Sequence, residues 1–512
     1  MPKTPSNKLF KLVKSLTGSE KRHFKIYINA RSNQDTHYVK LFDLLEAQIT
    51  FDDHALKTSI YGSVDIEGRK YSELKAYLYD LILKSLISFD DKNSVEYRLK
   101  GMLLSIKTLF KRSHFNDCKE LLQKTYKLAR KHEQFQTLLE VLDWEKRIAY
   151  ATLDLEYIGK NLRRIDREEQ ECLDQLRLIR TYRNIFLRLL MTLRQDVIRK
   201  EKIKERIDEI MIHPLLKEPS KISSFKAQIM LKRINAFYHY AISDIKKYYD
   251  TNKELVALME SKPLYLKEDI SEYISVLSNL AVSCGNLGKL DEVEENLRKL
   301  LALKPQTHDD QLKIYRQYYA LKLPLCRSKG AFTVGVSEIE LIPKRLSPED
   351  QKIFEKDSFY FSFFYIYFGV GAFDEALFYL NNWLNIPRSS ERQDLQALAK
   401  VLNLIIHYEM NNSSLIESIL RSTNRYLNKQ GLTFEFERKI TAFFAKVTRK
   451  AMGKKERKAA FIQLKYELEN NLTSTTEQKL LTIFDIISWI DSKTSNKSFA
   501  QVVQEKFEEK YS

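Results

Sequence analysis

The chain has 512 residues, 44% of them apolar and 30% charged, with 13 glycines and 10 prolines. That balance excludes a disordered polypeptide, and so few turn formers argue against a sheet-rich fold. The formal net charge is +17, of which residues 101–250 carry +10 (31 basic, 21 acidic); it permits an acidic partner or nucleic acid, and is also the ordinary look of a solvated helical surface.

The opening stretch, MPKTPSNKLFKLVKSLTGSEKR, lacks the uninterrupted apolar core of a secretory signal. No apolar run is long enough to span a bilayer, and the chain is expected to be cytoplasmic. Short helices are expected at NKLFKLVKSL, GSEKRHFKIYIN, YVKLFDLLEAQ and DDHALKTSI, followed by a longer one at YSELKAYLYDLILKSLISF. Together they make residues 1–90 a helical head or cap. A short helix, a turn and a basic helix bearing Lys21, Arg22 and Lys25 also suit a helix-turn-helix reader of DNA.

Residues 91–222 read as irregular helix pairs. VEYRLKGMLLSIKTLFKRS with FNDCKELLQKTYKLARKH makes a clear one, and Gln134 to Glu218 is expected to hold two more with longer, Arg-rich helices. The arginines from Arg163 to Arg199 offer a second surface for nucleic acid.

From residue 223 a regular beat begins. Gly288, Gly330, Gly371, Asn412 and Gly453 follow one another at intervals of 42, 41, 41 and 41 residues, each between two apolar-periodic segments. Glycine and asparagine tolerate the left-handed conformation that closes a helix. Pro263, Pro305 and Pro387 keep the same beat after the second helix of a unit. A period near 41 built from two antiparallel helices is the signature of an α-solenoid, in which neighbouring pairs bury the faces that one pair cannot. Seven pairs are expected between residue 223 and the last residue, and about ten in the whole chain. One unit is imperfect: Pro324 should kink its first helix, and AFTVGVSEIELI has strand character.

Leu277, Leu280, Ala281, the turn Gly288, Leu297 and Pro305 resemble the helix–turn–helix pattern of the tetratricopeptide family. Residues 359–387 resemble it again through Ala376 and Leu380, although Phe364 stands where a small residue is usual; in the first of the two units Val293 replaces the usual alanine. The period also exceeds the family's length of about 34 residues. The resemblance implies an all-α, right-handed solenoid whose first helices line a concave, partner-binding groove.

No nucleotide-binding, nucleophile-elbow or zinc-protease motif is present. The nine histidines are scattered, and the four cysteines (Cys118, Cys172, Cys284, Cys326) read as free buried thiols. The acids beside His54 and His308, and the pairs Asp291–Glu292 and Asp374–Glu375, stand where helices start and read as caps. No catalytic residue, cofactor, metal or small-molecule substrate is inferred. Two features exceed structural need. Phe361, Tyr365 and Phe368 form a second aromatic stripe on an already apolar helix, either buried or offered to the groove as peptide anchors. Lys450, Lys454, Lys455, Arg457 and Lys458 cluster at one corner, where an acidic partner would fit. The expectation is a non-enzymatic scaffold or adaptor for a protein or peptide, with a nucleic-acid-associated regulator as the alternative.

Overall fold

The computed structural model describes residues 7–29, 37–62, 68–195, 200–217, 224–385, 393–430, 435–449, 452–470, 483–495 and 497–511. Among these the chain is all α, with 27 helices packed in sequential pairs and no strand. No helix among them is long and apolar enough to cross a membrane. The chain divides into two compact units, residues 1–314 and 315–512.

The first unit opens with α1 (Lys8–Ser15), α2 (Gly18–Asn29), α3 (His37–Ala47), α4 (Asp53–Tyr61) and α5 (Gly68–Asn93). Their apolar stripes converge on a core that includes Val13, Phe24, Leu41, Phe42, Leu78 and Ile82. Asp52 beside His54 does cap α4, accepting the Ala55 amide at 3.0 Å. Next come α6 (Val95–Phe110), α7 (Phe115–Lys131) and α8 (Phe135–Ala151), each packed on its successor, with α6 also reaching α8.

Where two pairs are expected between residues 134 and 218, α8 is followed by one long continuous helix, α9 (Leu155–Gln195), and by two shorter helices. After Gly159 α9 contains no glycine or proline to break it. Its 41 residues span about 60 Å. It packs on α8 and also on α12, which lies beyond α10 (Lys200–Met211) and α11 (Pro214–Lys217). The unit continues with α12 (Phe225–Ala241), α13 (Ile245–Glu260), α14 (Pro263–Glu268), α15 (Ile270–Asn286) and α16 (Leu290–Ala302).

The unit boundary falls inside α17 (His308–Ser328). The second unit then holds α18 (Phe332–Arg345), α19 (Pro348–Gln351), α20 (Asp357–Val370), α21 (Phe373–Asn385), α22 (Gln393–Glu409) and α23 (Ser413–Gln430). It ends with α24 (Glu435–Arg449), α25 (Lys454–Asn470), α26 (Ile486–Thr494) and α27 (Phe499–Tyr511). Pro324 and Pro343 lie inside α17 and α18, so neither ends its helix. The segment with strand character is helix α18. Gly335 and Gly369 let it dock closely on α20: a Cβ on Gly335 would stand 2.7 Å from Ile366, and one on Gly369 only 2.3 Å from the Phe332 ring. Packing of this kind overrides the weak β preference of Thr333, Val334 and Val336.

One turn recurs between paired helices. Its left-handed residue is Ser113, Glu133, Leu153, Ser243, Gly288, Gly330, Gly371 or Asn411, with φ between 48° and 82°. In every case the next residue's amide reaches back five positions to a carbonyl at 2.9–3.1 Å, as in His114 to Leu109, Lys289 to Cys284 and Asn412 to His407. This is the Schellman closure, which satisfies a carbonyl that the helix end orphans. Two expected positions are corrected by it. Asn411, not Asn412, is left-handed, and Gly453 is not left-handed at all: it precedes α25 and gives its amide to the Glu456 carboxylate at 3.2 Å.

Candidate partner-binding cleft

The aromatic residues expected as groove anchors are core. Phe361, Tyr365 and Phe368 are all buried within the second unit. Phe361 packs on Trp383 with ring centres 5.1 Å apart, and Phe368 meets Phe484 at 5.2 Å and Phe499 at 5.6 Å. The Tyr365 hydroxyl accepts the Asp485 amide at 3.2 Å. A helix that is apolar all round is here buried all round, because Trp383, Phe484 and Phe499 cover its second stripe. The Arg327 guanidinium lies 5.1 and 5.2 Å from the Phe361 and Tyr365 ring centres, and burial lowers its pKa.

The basic features fare differently. On α25, Lys454, Lys455, Arg457 and Lys458 are exposed, and the three lysines make no ion pair among the described residues; Lys450 lies outside those residues. In the head, Lys21 pairs with Glu46 at 3.4 Å and Lys25 with Asp43 at 2.9 Å, so only exposed Arg22 remains of that proposed DNA-reading set. The Arg-rich stretch is partly neutralised within its own helix layer. Arg164 bonds Glu145 and Glu168, and Arg130 and Arg167 both approach Glu171.

A site that the sequence does not announce lies in the first unit, where the α7–α8 turn meets α12 and α14. Left-handed Glu133 directs its carboxylate at the start of α12. It accepts the Phe225 amide at 2.8 Å, the Lys226 amide at 3.0 Å and the Ser224 hydroxyl at 2.8 Å. Next to it the Tyr265 hydroxyl donates to the Lys131 carbonyl at 3.2 Å, and buried His132 turns its Nδ1 to the Glu268 carboxylate. These contacts join chain segments about a hundred residues apart.

Between them opens a cleft of about 620 Å³, within the range of sites that accept a small ligand or several peptide side chains. Phe225, Ile229, Met230 and Tyr265 give it an apolar lining, with the Phe225 and Tyr265 rings 4.7 Å apart. Burial lowers the pKa of Lys226, against the opposing pull of Glu268 and Glu133, and raises that of Glu272 despite the nearby Arg233.

The charges of the cleft do not balance. Three of the four acids face a base, Glu96 with Lys100, Glu268 with His132 and Glu272 with Arg233 at 2.6 Å, while Asp269 caps the Glu272 amide at 3.1 Å and keeps its charge. The bases Arg98, Lys131, Arg183 and Lys267 line the same cleft and make no ion pair among the described residues. The lining as a whole carries a small positive excess, with Asp269 the one carboxylate in it that faces no base.

The four cysteines are buried and free, and no group of three or more metal-ligating side chains comes together among the described residues. Asp291 and Glu292 open α16 as expected, but Glu292 is spent on the Tyr249 hydroxyl at 2.7 Å and Lys289 at 3.0 Å. Asp310 takes the Thr307 amide and hydroxyl in a capping box at α17. No protein-family model matches this chain, and no curated protein matches it.

Proposed function

We propose that the chain is a non-enzymatic adaptor, a tetratricopeptide-like α-solenoid of the right-handed kind that holds an acidic segment of a partner protein in the cleft of its first unit. The repeated left-handed turn and the sequential pairing of helices support the solenoid reading. The observation that carries the functional reading is the positive excess of the cleft, where Arg98, Lys131, Arg183 and Lys267 make no ion pair among the described residues above an apolar floor. Aromatic and apolar side chains supply contact area, and the free cations select acidic side chains and speed encounter. Helices supply most of the walls and hydrogen bonds from Glu133 and Tyr265 fix the turn between α7 and α8, so the cleft is organised before a partner arrives.

The test is affinity capture on the immobilised full chain from extract of the native cell, with and without nuclease. It compares the natural chain with an Arg98→Glu, Lys267→Glu variant whose fold is checked by circular dichroism. Both residues are exposed, so the variant should fold normally. A protein set that survives nuclease and is lost on the variant supports the reading. Retention by the variant, or recovery of nucleic acid alone, overturns it.

A further inference from the structure

The outward face of α9, away from the sides packed on α8 and α12, carries a pattern of which the fold uses only Glu169, through Lys146 on α8, and the cleft uses none. Its positions are 155, 159, 162, 166, 169, 173, 177, 180, 184, 187 and 191, steps of three and four that average the α-helical period. Five of them are large apolar residues left in solvent: Leu155 (74% exposed), Leu162 (51%), Leu173 (47%), Leu187 (46%) and Met191 (56%). Apolar side chains recurring along a single face in this way mark a helix that lacks a partner.

The charges on the same face are sorted by sign. Asp166 and Glu169 lie on the N-terminal side of Leu173, and Arg177 and Arg180 on its C-terminal side. Asp166, Arg177 and Arg180 are exposed and make no ion pair among the described residues, while Glu169 contacts Lys146 at 2.7 Å. The face is symmetric about Leu173 in position and antisymmetric in charge. Laid antiparallel on a copy of itself about Leu173, it sets Asp166 against Arg180 and Glu169 against Arg177. It also sets Leu155 against Met191, and Leu187 against Gly159, where nothing lies within 4 Å of an added Cβ. Leu162 meets Asn184, and Leu173 meets itself. A parallel pairing would instead put each charge against its like.

We propose that the occupant of this face is a second copy of the chain, in an isologous dimer whose two-fold axis passes beside Leu173. Self-complementarity of this kind is the requirement of a two-fold interface, and a foreign helix would have no reason to be matched by this chain's own charge order. The eleven positions are fewer than the roughly 20–30 residues per side of a standard interface, so dissociation on the order of 10 µM is expected. The inference is independent of the cleft proposal.

Sedimentation velocity of the full chain, from about 1 to 100 µM at low salt, should show a monomer–dimer equilibrium that weakens as salt rises. Arg180→Asp and Asp166→Arg should each weaken it at least tenfold, and the combined swap should restore it, because the two positions face each other across the axis. Circular dichroism of each variant separates loss of dimer from loss of fold. Leu173→Cys should give a covalent dimer under mild copper–phenanthroline oxidation, whereas Leu155→Cys should do so only together with Met191→Cys. The four native cysteines are buried and contribute little background. A chain monomeric throughout, a swap no better than its single variants, or Leu155→Cys cross-linking alone would each overturn the proposal.

Discussion

Glu133 and Phe225 are 92 residues apart in sequence, yet the Glu133 carboxylate accepts the Phe225 amide at 2.8 Å. The first amides of any helix have no partner within it, and the helix dipole favours a negative charge beside them. Here the cap of α12 comes from a distant turn rather than from the preceding residue alone. Ser224 accepts the Ala227 amide at 3.3 Å and donates its own hydroxyl to Glu133, so the two caps form one network. The same contact closes one wall of the cleft.

Glu133→Gln is expected to lower the stability of the first unit by about 1–2 kcal/mol, because the amide side chain keeps the shape but loses the charge and one acceptor. Chemical denaturation gives the loss, and hydrogen exchange at the Phe225 and Lys226 amides locates it. If those amides stay as protected as in the natural chain, the carboxylate is not what holds α12 in place.

The left-handed turn residues make opposite predictions at two positions. Leu153 has φ 48° and an exposed side chain, so Leu153→Gly should relieve backbone strain at little packing cost and stabilise by about 1 kcal/mol. Gly371 has φ 82° and open space around a notional Cβ, so Gly371→Ala should destabilise by about 1 kcal/mol through the backbone alone. Gly330 is tighter, because a Cβ there would stand 2.7 Å from the Gln504 side chain and 3.0 Å from its backbone nitrogen on α27. Gly330→Ala should therefore cost clearly more than Gly371→Ala, about 3 kcal/mol. Thermal melts of the three variants check sign and order together.

These same residues explain what was legible in the sequence. In the second half the left-handed position is occupied by Gly288, Gly330, Gly371 and Asn411, and the glycines and the Asn411–Asn412 pair announce four successive turns about 41 residues apart. In the first half the identical turn uses Ser113, Glu133, Leu153 and Ser243, which carry no such signal. The 20-residue spacing from Ser113 to Glu133 to Leu153 therefore passed unseen, and so did the uninterrupted α9. The cleft was illegible for another reason. Glu133, Phe225 and Tyr265 acquire their roles only when segments far apart in sequence meet, and no local pattern encodes that meeting. Periodicity identified α20 as apolar on every face, but which neighbours cover it depends on Phe484 and Phe499, more than a hundred residues later.

Asp491 gives the pH dependence of the C-terminal helices. Its carboxylate lies 2.7 Å from Lys465 on α25 and 2.7 Å from Lys506 on α27, tying both to α26. Burial acts to raise its pKa, but the hydrogen bonds from Lys465 and Lys506 outweigh burial and hold it below the ordinary carboxylate range. A depressed folded-state pKa contributes stability that is complete above the unfolded value of about 3.9 and is lost as pH falls through the folded value. The lysines are partly exposed, so screening limits the contribution to about 1 kcal/mol. Asp491→Asn should therefore lower stability near neutral pH, and the gap from the natural chain should close only below about pH 3.9. A gap unchanged down to pH 2 would show that the ion pairs are not its source.

The burial of Phe361 and Tyr365 changes what their substitution reports. Each fills space against its own unit, Phe361 on Trp383 and Tyr365 beside Phe484 at 4.8 Å between ring centres. Truncating a buried aromatic to alanine removes its transfer energy and leaves a cavity, at about 3–5 kcal/mol per site. Phe361→Ala and Tyr365→Ala are each expected to lower the melting temperature of the second unit, and together to unfold it, since whole-domain stabilities are only about 5–15 kcal/mol. Near-ultraviolet circular dichroism would register the loss of aromatic packing directly. A partner lost on such a variant would report unfolding, whereas Tyr365→Phe keeps the ring and removes only the acceptor of the Asp485 amide, at about 1 kcal/mol. Should the double alanine variant melt like the natural chain, these rings would have to be surface residues after all, and the groove would return to α20.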